Sequence, residues 1–379
     1  ETPWWGWPEI KLITPEMSTD FIPLCIVMAL VLCVDNIGML VSIQRQGDPH
    51  WQKIDYRQAS AGVSISSVGD VVAALFGGMP TGISSANISL AHATGDKDPV
   101  GFQVDFGFGK AFDIIHAGEQ APGIFRNIEQ AYISLKPPKA KGLQIDFGKF
   151  VTSAGAEVIE SNANWNYSRS LLFAYAIPYY HFGVRLTQPI GSHFSGGFQV
   201  VNGWNNVEDN NTGKTLGFVG NFTGKKISWN NNYYTGPEKT NINQGFRNLY
   251  DTTVLLTPSD KFNAYVNFDY GSDKNVGKGS NTWAGIAIAA KMQATEKSAF
   301  TPRFEYFNDM DGFSTGTTQK LKEFTLTYEY KLPEGFLARA EYRRDWSNQK
   351  FFDRGAQLGR ADAQSTLTLG IVAFFGPKR

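Results

Sequence analysis

The residues that could carry out covalent chemistry are few. The segment Gly312-Phe313-Ser314-Thr315-Gly316 matches the G-x-S-x-G pattern of serine hydrolases. That pattern needs a strand–turn–helix elbow and a histidine further along the chain. Here it lies in a loop between two predicted strands, and the histidines stand at positions 50, 92, 116, 181 and 193, all upstream. We therefore expect no catalysis.

No metal or cofactor site is predicted either. The five histidines show no spacing that would bring metal ligands together. Asn308-Asp309-Met310-Asp311-Gly312 hints at a calcium-binding loop, but no glutamate follows at the twelfth position. A hydrated loop is the expectation for these residues, and no cofactor is expected.

Charged residues that alternate with apolar ones are the stronger functional candidates. Those predicted to line a pore are Arg185, Asp269, Arg303, Glu305, Glu329, Arg339, Glu341 and Arg343. Rings of charge select ions in channels. Acidic and basic groups are mixed here, so no preference for one charge follows, and each residue could instead be hydrated lining or pair across strands. Arg339, Glu341 and Arg343, successive on one polar face, are the best candidates for a constriction or a cross-strand ladder.

Short segments of alternating polarity must position these side chains. Phe268 and Tyr270, for example, point to one face of a strand, and Asn267 and Asp269 point to the other. About fourteen such strands are predicted, near 102–109, 126–136, 142–150, 176–188, 192–203, 213–223, 225–236, 247–258, 260–271, 281–293, 298–308, 320–331, 335–346 and 365–375. Tight turns alternate with long polar loops such as 205–214 and 345–363.

The fold class this predicts is all-β, an antiparallel transmembrane β-barrel. Aromatic residues at strand ends fit the interfacial girdles of such barrels: Trp204, Tyr270, Trp283, Tyr306 and Trp346. The alternative is a soluble β-sandwich, which would not need aromatic residues on so many apolar faces. Fourteen strands in one sheet also require closure to remove the edges.

Residues from about 102 to the C-terminus resemble the outer-membrane β-barrel porin family with OmpL-like members. The resemblance depends on Gln144-Ile145-Asp146-Phe147-Gly148-Lys149-Phe150, on Asn164-Trp165-Asn166-Tyr167-Ser168-Arg169-Ser170 and on Ala176-Ile177-Pro178-Tyr179-Tyr180-His181. It implies a channel in the bacterial outer membrane. It also implies that the first strands of the barrel are missing, so that the intact barrel has more than fourteen.

The N-terminal part has a different pattern. Residues 21–43 are almost wholly apolar and long enough to cross a bilayer as a helix, with Asp35 as the single acid. The segments Val34-Asp35-Asn36-Ile37-Gly38 and Gly77-Gly78-Met79-Pro80-Thr81 resemble the nucleobase (uracil–xanthine permease) transporter family. The resemblance covers 21–95 and implies that Asp35 contacts a nucleobase. Ala86 and Ser89 depart from the family's Glu-Asn-Ile-Gly motif.

Three regions follow from these patterns. Residues 1–95 are predicted to be a helical transmembrane fragment like a permease, 96–101 a junction or linker, and 102–379 an outer-membrane β-barrel. A long apolar helix suits the inner membrane, whereas a porin must cross the periplasm without an anchor. One hypothesis is therefore that the chain is chimeric and joins fragments of two unrelated proteins near 95–101.

Composition limits the function further. The 35 Lys and Arg balance 35 Asp and Glu, so no basic field is present to attract nucleic acid. The two cysteines, Cys25 and Cys33, exclude a small disulfide scaffold. The function predicted is passive diffusion of small hydrophilic solutes or ions through a porin in the lipid bilayer, with homo-oligomers expected. The alternatives are a loop-plugged barrel that acts as an adhesin or scaffold, and a nucleobase–proton symporter.

Overall fold

Strands with one apolar and one polar face build a single antiparallel sheet of 15 members. The computed structural model describes residues 85–373 except 96, 120–122, 276, 278, 355 and 356. The strands are β1 Ala86–His92, β2 Val100–Phe108, β3 Ile128–Leu135, β4 Gln144–Val151, β5 Tyr180–Ile190, β6 Phe194–Val201, β7 Thr215–Thr223, β8 Ile227–Lys239, β9 Ile242–Ser259, β10 Phe262–Lys274, β11 Ser280–Gln293, β12 Ser298–Asp309, β13 Gln319–Lys331, β14 Phe336–Ser347 and β17 Ala363–Ala373, with a separate hairpin of β15 Phe352–Arg354 and β16 Gln357–Ala361. Each strand pairs with the next along the chain, and β14 pairs with β17.

The helical elements that the structure describes are short. They are α1 Lys110–Ile115, α2 Leu171–Tyr175 and two 3-10 helices, Gly123–Asn127 and Pro333–Gly335. In the part of the chain that the structure describes, no helix is long and apolar enough to cross a membrane. The helix predicted at 21–43, together with Asp35, lies outside the described residues.

The predicted strands and the barrel fold class are confirmed. All fourteen predicted segments are strands, most with ends within two or three residues of the prediction. One further strand, β1, lies where the permease-like helical fragment was expected, so the prediction for 86–92 was wrong. Seven consecutive pairs join it to β2, from Ala86 opposite Phe108 to His92 opposite Phe102. The reason is local, because Ile88 and Leu90 alternate with Asn87 and Ser89 at the period of a strand.

The two faces of the sheet have the reverse polarity of a soluble protein. In the middle of β13 the exposed side chains are apolar or aromatic, from Phe324 to Tyr330 with Leu326 at 40%, while Glu323 and Thr325 on the other face are fully buried. The same alternation recurs on β10, where Phe268 is exposed and Asp269 is buried. A continuous apolar belt of this kind faces lipid, and the polar face lines the lumen. This arrangement excludes the soluble sandwich.

Residues 152–179, called the inner loop below, connect β4 to β5 and fold against the lumen face of the sheet. At the start of α2, the Ser170 hydroxyl accepts a hydrogen bond from the Phe173 N–H at 2.9 Å, which caps the helix. Leu172 and Ile177 of this loop are buried in the hydrophobic core of the barrel. The core therefore lies inside the lumen, between the inner loop and the strands.

Glycine lets the inner loop approach β11 closely. A Cβ atom at Gly285 would lie 2.7 Å from Leu172 Cδ1, which is closer than carbon atoms pack. Trp283, on the same face of β11, is fully buried and donates from Nε1 to the carbonyl oxygen of Ala176 at 3.1 Å. The prediction that Trp283 belongs to an interfacial girdle was therefore wrong. Alternation along β11 places Trp283 on the same inward face as the buried Ala287, whereas the exposed Ile288 lies on the outward face.

Candidate functional site

Side chains on the lumen face of β14 form hydrogen bonds with the backbone of the inner loop. Arg339 donates to the carbonyl oxygens of Ser161 at 2.8 Å and Asn164 at 2.6 Å, and to that of Asn166 at 3.3 Å. It also forms an ion pair with Glu329, directly opposite on β13, at 2.7 Å. Arg339 is nearly fully buried. Its planar fork of five donors suits several acceptors at once.

Two more residues of β14 continue this contact. The Glu341 carboxylate accepts hydrogen bonds from the backbone N–H groups of Tyr167 at 2.6 Å and Ser168 at 2.9 Å. Arg343 donates from Nη1 to the carbonyl oxygen of Arg169 at 2.6 Å. Arg339, Glu341 and Arg343 therefore lie on one face of β14, as predicted, and all three contact consecutive parts of the inner loop.

Arg303 on β12 anchors the start of the inner loop. Its Nη1 lies 2.5 Å from a carboxylate oxygen of Glu157, and its Nε lies 3.0 Å from both Glu305 and Glu323. The other oxygen of Glu305 accepts from the N–H of Leu172 at the first turn of α2, at 3.1 Å. One buried cation surrounded by three carboxylates thus joins two adjacent strands to both ends of the loop. Buried charges need such partners because isolated charges in the interior cost several kcal/mol.

The remaining predicted residues lie elsewhere. Arg185 pairs with Asp146 across β4 and β5 at 2.8 Å. Asp269 is fully buried and lies opposite Asp251 in the register of β10 and β9. Asp35, predicted to contact a nucleobase, falls outside the described residues. Five of the eight predicted pore residues, then, contact the inner loop: Arg303, Glu305, Arg339, Glu341 and Arg343.

A cavity of about 480 Å³ lies between the inner loop and the opposite wall of the lumen. The inner loop contributes residues from Ser153 to Trp165. The wall is formed by β6 to β10, whose polar lining residues are Ser195, Asn221, Thr223, Ser228, Asn230 and Thr253. Several of these stand next to the short turns 191–193 and 224–226, so the cavity lies toward the short-turn end of the sheet. Among the described residues that line it, Glu157 is the one with a charge.

Sequence reasoning missed this wall, although the signal was present. The same alternation that placed Asp269 in the lumen also places Asn221 and Asn230 there, directly opposite each other on β7 and β8. The predicted pore residues are all charged because rings of charge are one selectivity device of channels, whereas these wall residues are uncharged. None of the eight predicted pore residues is among the described residues that line the cavity.

Aromatic side chains fill the lumen near the long loops. The Trp283 ring stacks on Phe313 with ring centres 5.0 Å apart, and Trp204 meets Trp283 edge to face at 6.1 Å. The Arg247 guanidinium lies over both Trp204 and Phe313, at 5.1 and 4.9 Å. Trp204, predicted for a girdle, thus packs inside with Trp283. This end of the lumen is more tightly filled than the short-turn end.

The G-x-S-x-G segment forms a tight loop between β12 and β13. The Asp309 carboxylate accepts hydrogen bonds from the N–H groups of Phe313 at 2.8 Å, Ser314 at 3.0 Å and Thr315 at 2.7 Å. The strand–turn–helix elbow of a hydrolase is not what surrounds Ser314. In the described ranges, no group of three His, Cys, Asp or Glu residues is placed to bind a metal ion.

Two titratable groups outside the strands are strongly perturbed. His116 follows α1, is fully buried, and stacks against Phe112 with ring centres 6.0 Å apart. Burial lowers the pKa of His116 to about 3, so the imidazole is neutral at physiological pH. Burial raises the pKa of Tyr179, in the inner loop, to about 12. The hydroxyl of Tyr179 donates to the carbonyl oxygen of Ala174 at 3.0 Å.

An apolar outer belt, a polar lumen and a loop folded into that lumen define the class, an outer-membrane β-barrel of the porin type. A family model described as putative beta-barrel porin-2, OmpL-like, matches residues 79–375. The chain belongs to this family of outer-membrane porins, and its location is the bacterial outer membrane. The resemblance predicted from 144–185 is confirmed. A model of the permease family also matches residues 1–104, which confirms the N-terminal resemblance.

Solved porin structures have a similar fold. A Vibrio cholerae outer-membrane protein, OmpT without its loop L8, is 13% identical, with a TM-score of 0.51, and the match covers 77% of this chain and 90% of that one. An anion-selective porin from Comamonas acidovorans is 11% identical, with a TM-score of 0.51 and the same coverage of both chains. At these identities the similarity shows the fold alone. No match was found among curated proteins.

Proposed function

We propose that small hydrophilic solutes diffuse passively through the cavity between the inner loop and β6 to β10, with no catalytic step. The observation that carries this proposal is the cavity of about 480 Å³, with hydroxyl and amide side chains on its strand wall. Polar, hydrated walls let a solute exchange its water for side-chain hydrogen bonds without a large barrier. Diffusion of a solute down its concentration gradient needs no moving part of the protein and no cofactor, so transport along this path is passive.

The charged residues of β12 and β14 have a separate role in this proposal. Arg303, Arg339, Glu341 and Arg343 bind the backbone of the inner loop and so fix how far it narrows the lumen. The constriction predicted at Arg339, Glu341 and Arg343 is then formed by the loop that they hold. The three arginines pair with carboxylates on the strands, and all four residues form hydrogen bonds with the inner loop, so in this proposal they do not form a ring of charge that selects ions.

Modification of single cysteines on the two faces of β8 tests the path. In a full-length background with Cys25 and Cys33 replaced by serine, Asn230→Cys places a thiol in the cavity. The matched control Asn231→Cys places it on the outer face, where Asn231 now accepts a hydrogen bond from the Tyr250 hydroxyl at 3.0 Å. A bulky charged methanethiosulfonate reagent should lower the single-channel conductance of Asn230→Cys in planar bilayers by half or more. It should leave the Asn231→Cys channel unchanged, and equal responses would refute the path.

A barrel plugged by its own loops, acting as an adhesin or scaffold, is the second candidate. The aromatic packing of Trp204, Trp283 and Phe313 at the long-loop end favours it. This candidate predicts almost no conductance for the unmodified protein, and no effect of thiol modification at position 230. Substantial conductance that responds to that modification would exclude it.

The domain boundary and the oligomeric state belong to the same proposal. We place the start of the porin part before Ala86, upstream of the junction predicted at 96–101, because β1 pairs with β2 over seven residues. A peptide or transcript from the source cell that spans residues 60–110 would refute a chimeric join. The nucleobase–proton symporter function of residues 21–95 stays a prediction. Homo-oligomers are expected, and the mass of the detergent-solubilised protein would test them.

A further inference from the structure

Side-chain amides and hydroxyls form a continuous row across the cavity wall. Asn221 on β7 lies opposite Ser195 on β6 and opposite Asn230 on β8. The Asn230 amide donates to the Asn221 carbonyl oxygen at 2.5 Å, and the Asn221 amide donates to the Ser195 hydroxyl at 3.4 Å. An amide side chain has two N–H donors and two acceptor lone pairs. Each of these residues therefore keeps capacity to donate to and accept from a hydroxyl group in the cavity.

Two aromatic rings border the same cavity. Trp165 of the inner loop and Tyr265 of β10 contact each other with ring centres 5.2 Å apart. Aromatic side chains combine a large apolar surface with a polar edge. The cavity consequently offers apolar ring surface as well as a row of donors and acceptors.

The one charged side chain in the described lining is engaged within the protein. One oxygen of the Glu157 carboxylate lies 2.5 Å from Arg303, and the other accepts a hydrogen bond from the Ser170 N–H at 2.7 Å. Both carboxylate oxygens are therefore occupied by protein groups and turned away from pairing with a charged solute. The other polar residues that line the cavity in the described ranges are uncharged.

From these three features we infer that the cavity binds a neutral, polyhydroxylated solute, with a monosaccharide as the smallest member of the class. A sugar ring has apolar C–H faces, which suit Trp165 and Tyr265, and a rim of hydroxyls that donate and accept, which suits Asn221 and Asn230. A volume of about 480 Å³ lies within the range of pockets that hold one small molecule. This inference rests on the proposed path and names the solutes that use it.

Solutes of equal size and different charge test the inference. We would record KCl current through the full-length protein in planar bilayers and add D-glucose, D-glucosamine or D-glucuronate, which all have a pyranose ring. Glucose should reduce the current with a saturable dependence on concentration, whereas the cation and the anion should show no saturation. In a KCl gradient without sugar, the reversal potential should stay near zero. Saturable binding of the charged probes as tight as that of glucose would overturn the inference.

A variant of the amide row provides the second measurement. Asn230→Leu should raise the glucose concentration at half-saturation about fivefold, since one hydrogen bond is worth about that factor in affinity. Asn221→Leu should act in the same way, and it serves if Asn230→Leu does not fold. The matched control Asn231→Leu, on the lipid face of β8, should leave glucose binding unchanged. Unchanged half-saturation in both lumen variants would also overturn the inference.

The two proposals fail separately. If thiol modification at position 230 blocks the current but glucose shows no saturable effect, the path stands and the solute class is wrong. If modification does not block the current, the path itself is wrong and the inference falls with it.

Discussion

Replacing Arg339 by methionine should destabilise the barrel, because this side chain joins β14 to the inner loop. It donates to the carbonyl oxygens of Ser161, Asn164 and Asn166, and it pairs with Glu329. Three charged hydrogen bonds at about 1.5–3 kcal/mol each would give a larger sum than is realistic. The Glu329 carboxylate keeps a second partner, the Lys291 ammonium at 2.8 Å, so the cost should lie near the lower end of the about 3–5 kcal/mol for breaking one buried pair.

The same substitution five residues further along the same strand, at Arg344 on the other face, supplies the control. Arg344 is exposed on the outer face and donates to the Ser365 hydroxyl at 3.0 Å. Arg344→Met should change the free energy of unfolding by about 0.5 kcal/mol or less. The assay is urea unfolding in detergent micelles followed by tryptophan fluorescence. If Arg339→Met shifts the unfolding midpoint no more than Arg344→Met does, the loop anchor assigned to Arg339 is wrong.

Three further predictions use other parts of the barrel. Gly285→Ala should lower the free energy of unfolding by about 1–3 kcal/mol through its clash with Leu172, whereas Gly220→Ala, with open space around it, should not; urea unfolding checks both. His116 has its pKa lowered to about 3, against about 6.5 in the unfolded chain, so the unfolded state binds the extra proton. Stability should therefore fall as the pH drops from about 6.5 towards 3, and unfolding midpoints across this range should show that His116→Gln loses this dependence. Asn230→Asp adds a negative charge to the cavity wall, and the reversal potential in a KCl gradient should then report cation preference.

The faces of the strands were predictable from the sequence because side chains alternate with a period of two. Phe268 and Tyr270 on one face, and Asn267 and Asp269 on the other, needed no further information. The prediction for Trp283 was wrong because it used the position of this residue near a strand end and not the face to which the alternation assigns its side chain. Counting two and four residues on to Gly285 and Ala287 would have placed it inside the lumen.

The course of the inner loop was not predictable in the same way. Residues 152–179 have no strand period, and their contacts lie far away in the chain, such as Ser161 with Arg339 and Asn166 with Thr301. Alternation places a charged residue on the lumen face, but it does not say whether that residue meets water, another strand or a loop. Pairing partners could therefore be named only from the structure.

Strand β1 was predictable in principle and was missed because two patterns competed. Ile88 and Leu90 alternate with Asn87 and Ser89, but the same residues fall inside the resemblance to a transporter family. The two family models overlap over residues 79–104, so the ambiguity belongs to the sequence itself. Pairing with β2 decides in favour of the strand.

The strand residues that hold the inner loop bind its backbone more than its side chains. The residues that fix the position of the loop therefore differ from those that face the cavity. Arg339, Glu341 and Arg343 contact carbonyl oxygens and N–H groups, which every residue of the loop provides. Buried ion pairs add little net stability compared with apolar packing, but they fix one geometry. A substitution at Trp165, whose ring borders the cavity, can therefore change what the cavity binds while the loop stays in place. In the proposed channel, the position of the constriction and its chemistry are thus set by different residues.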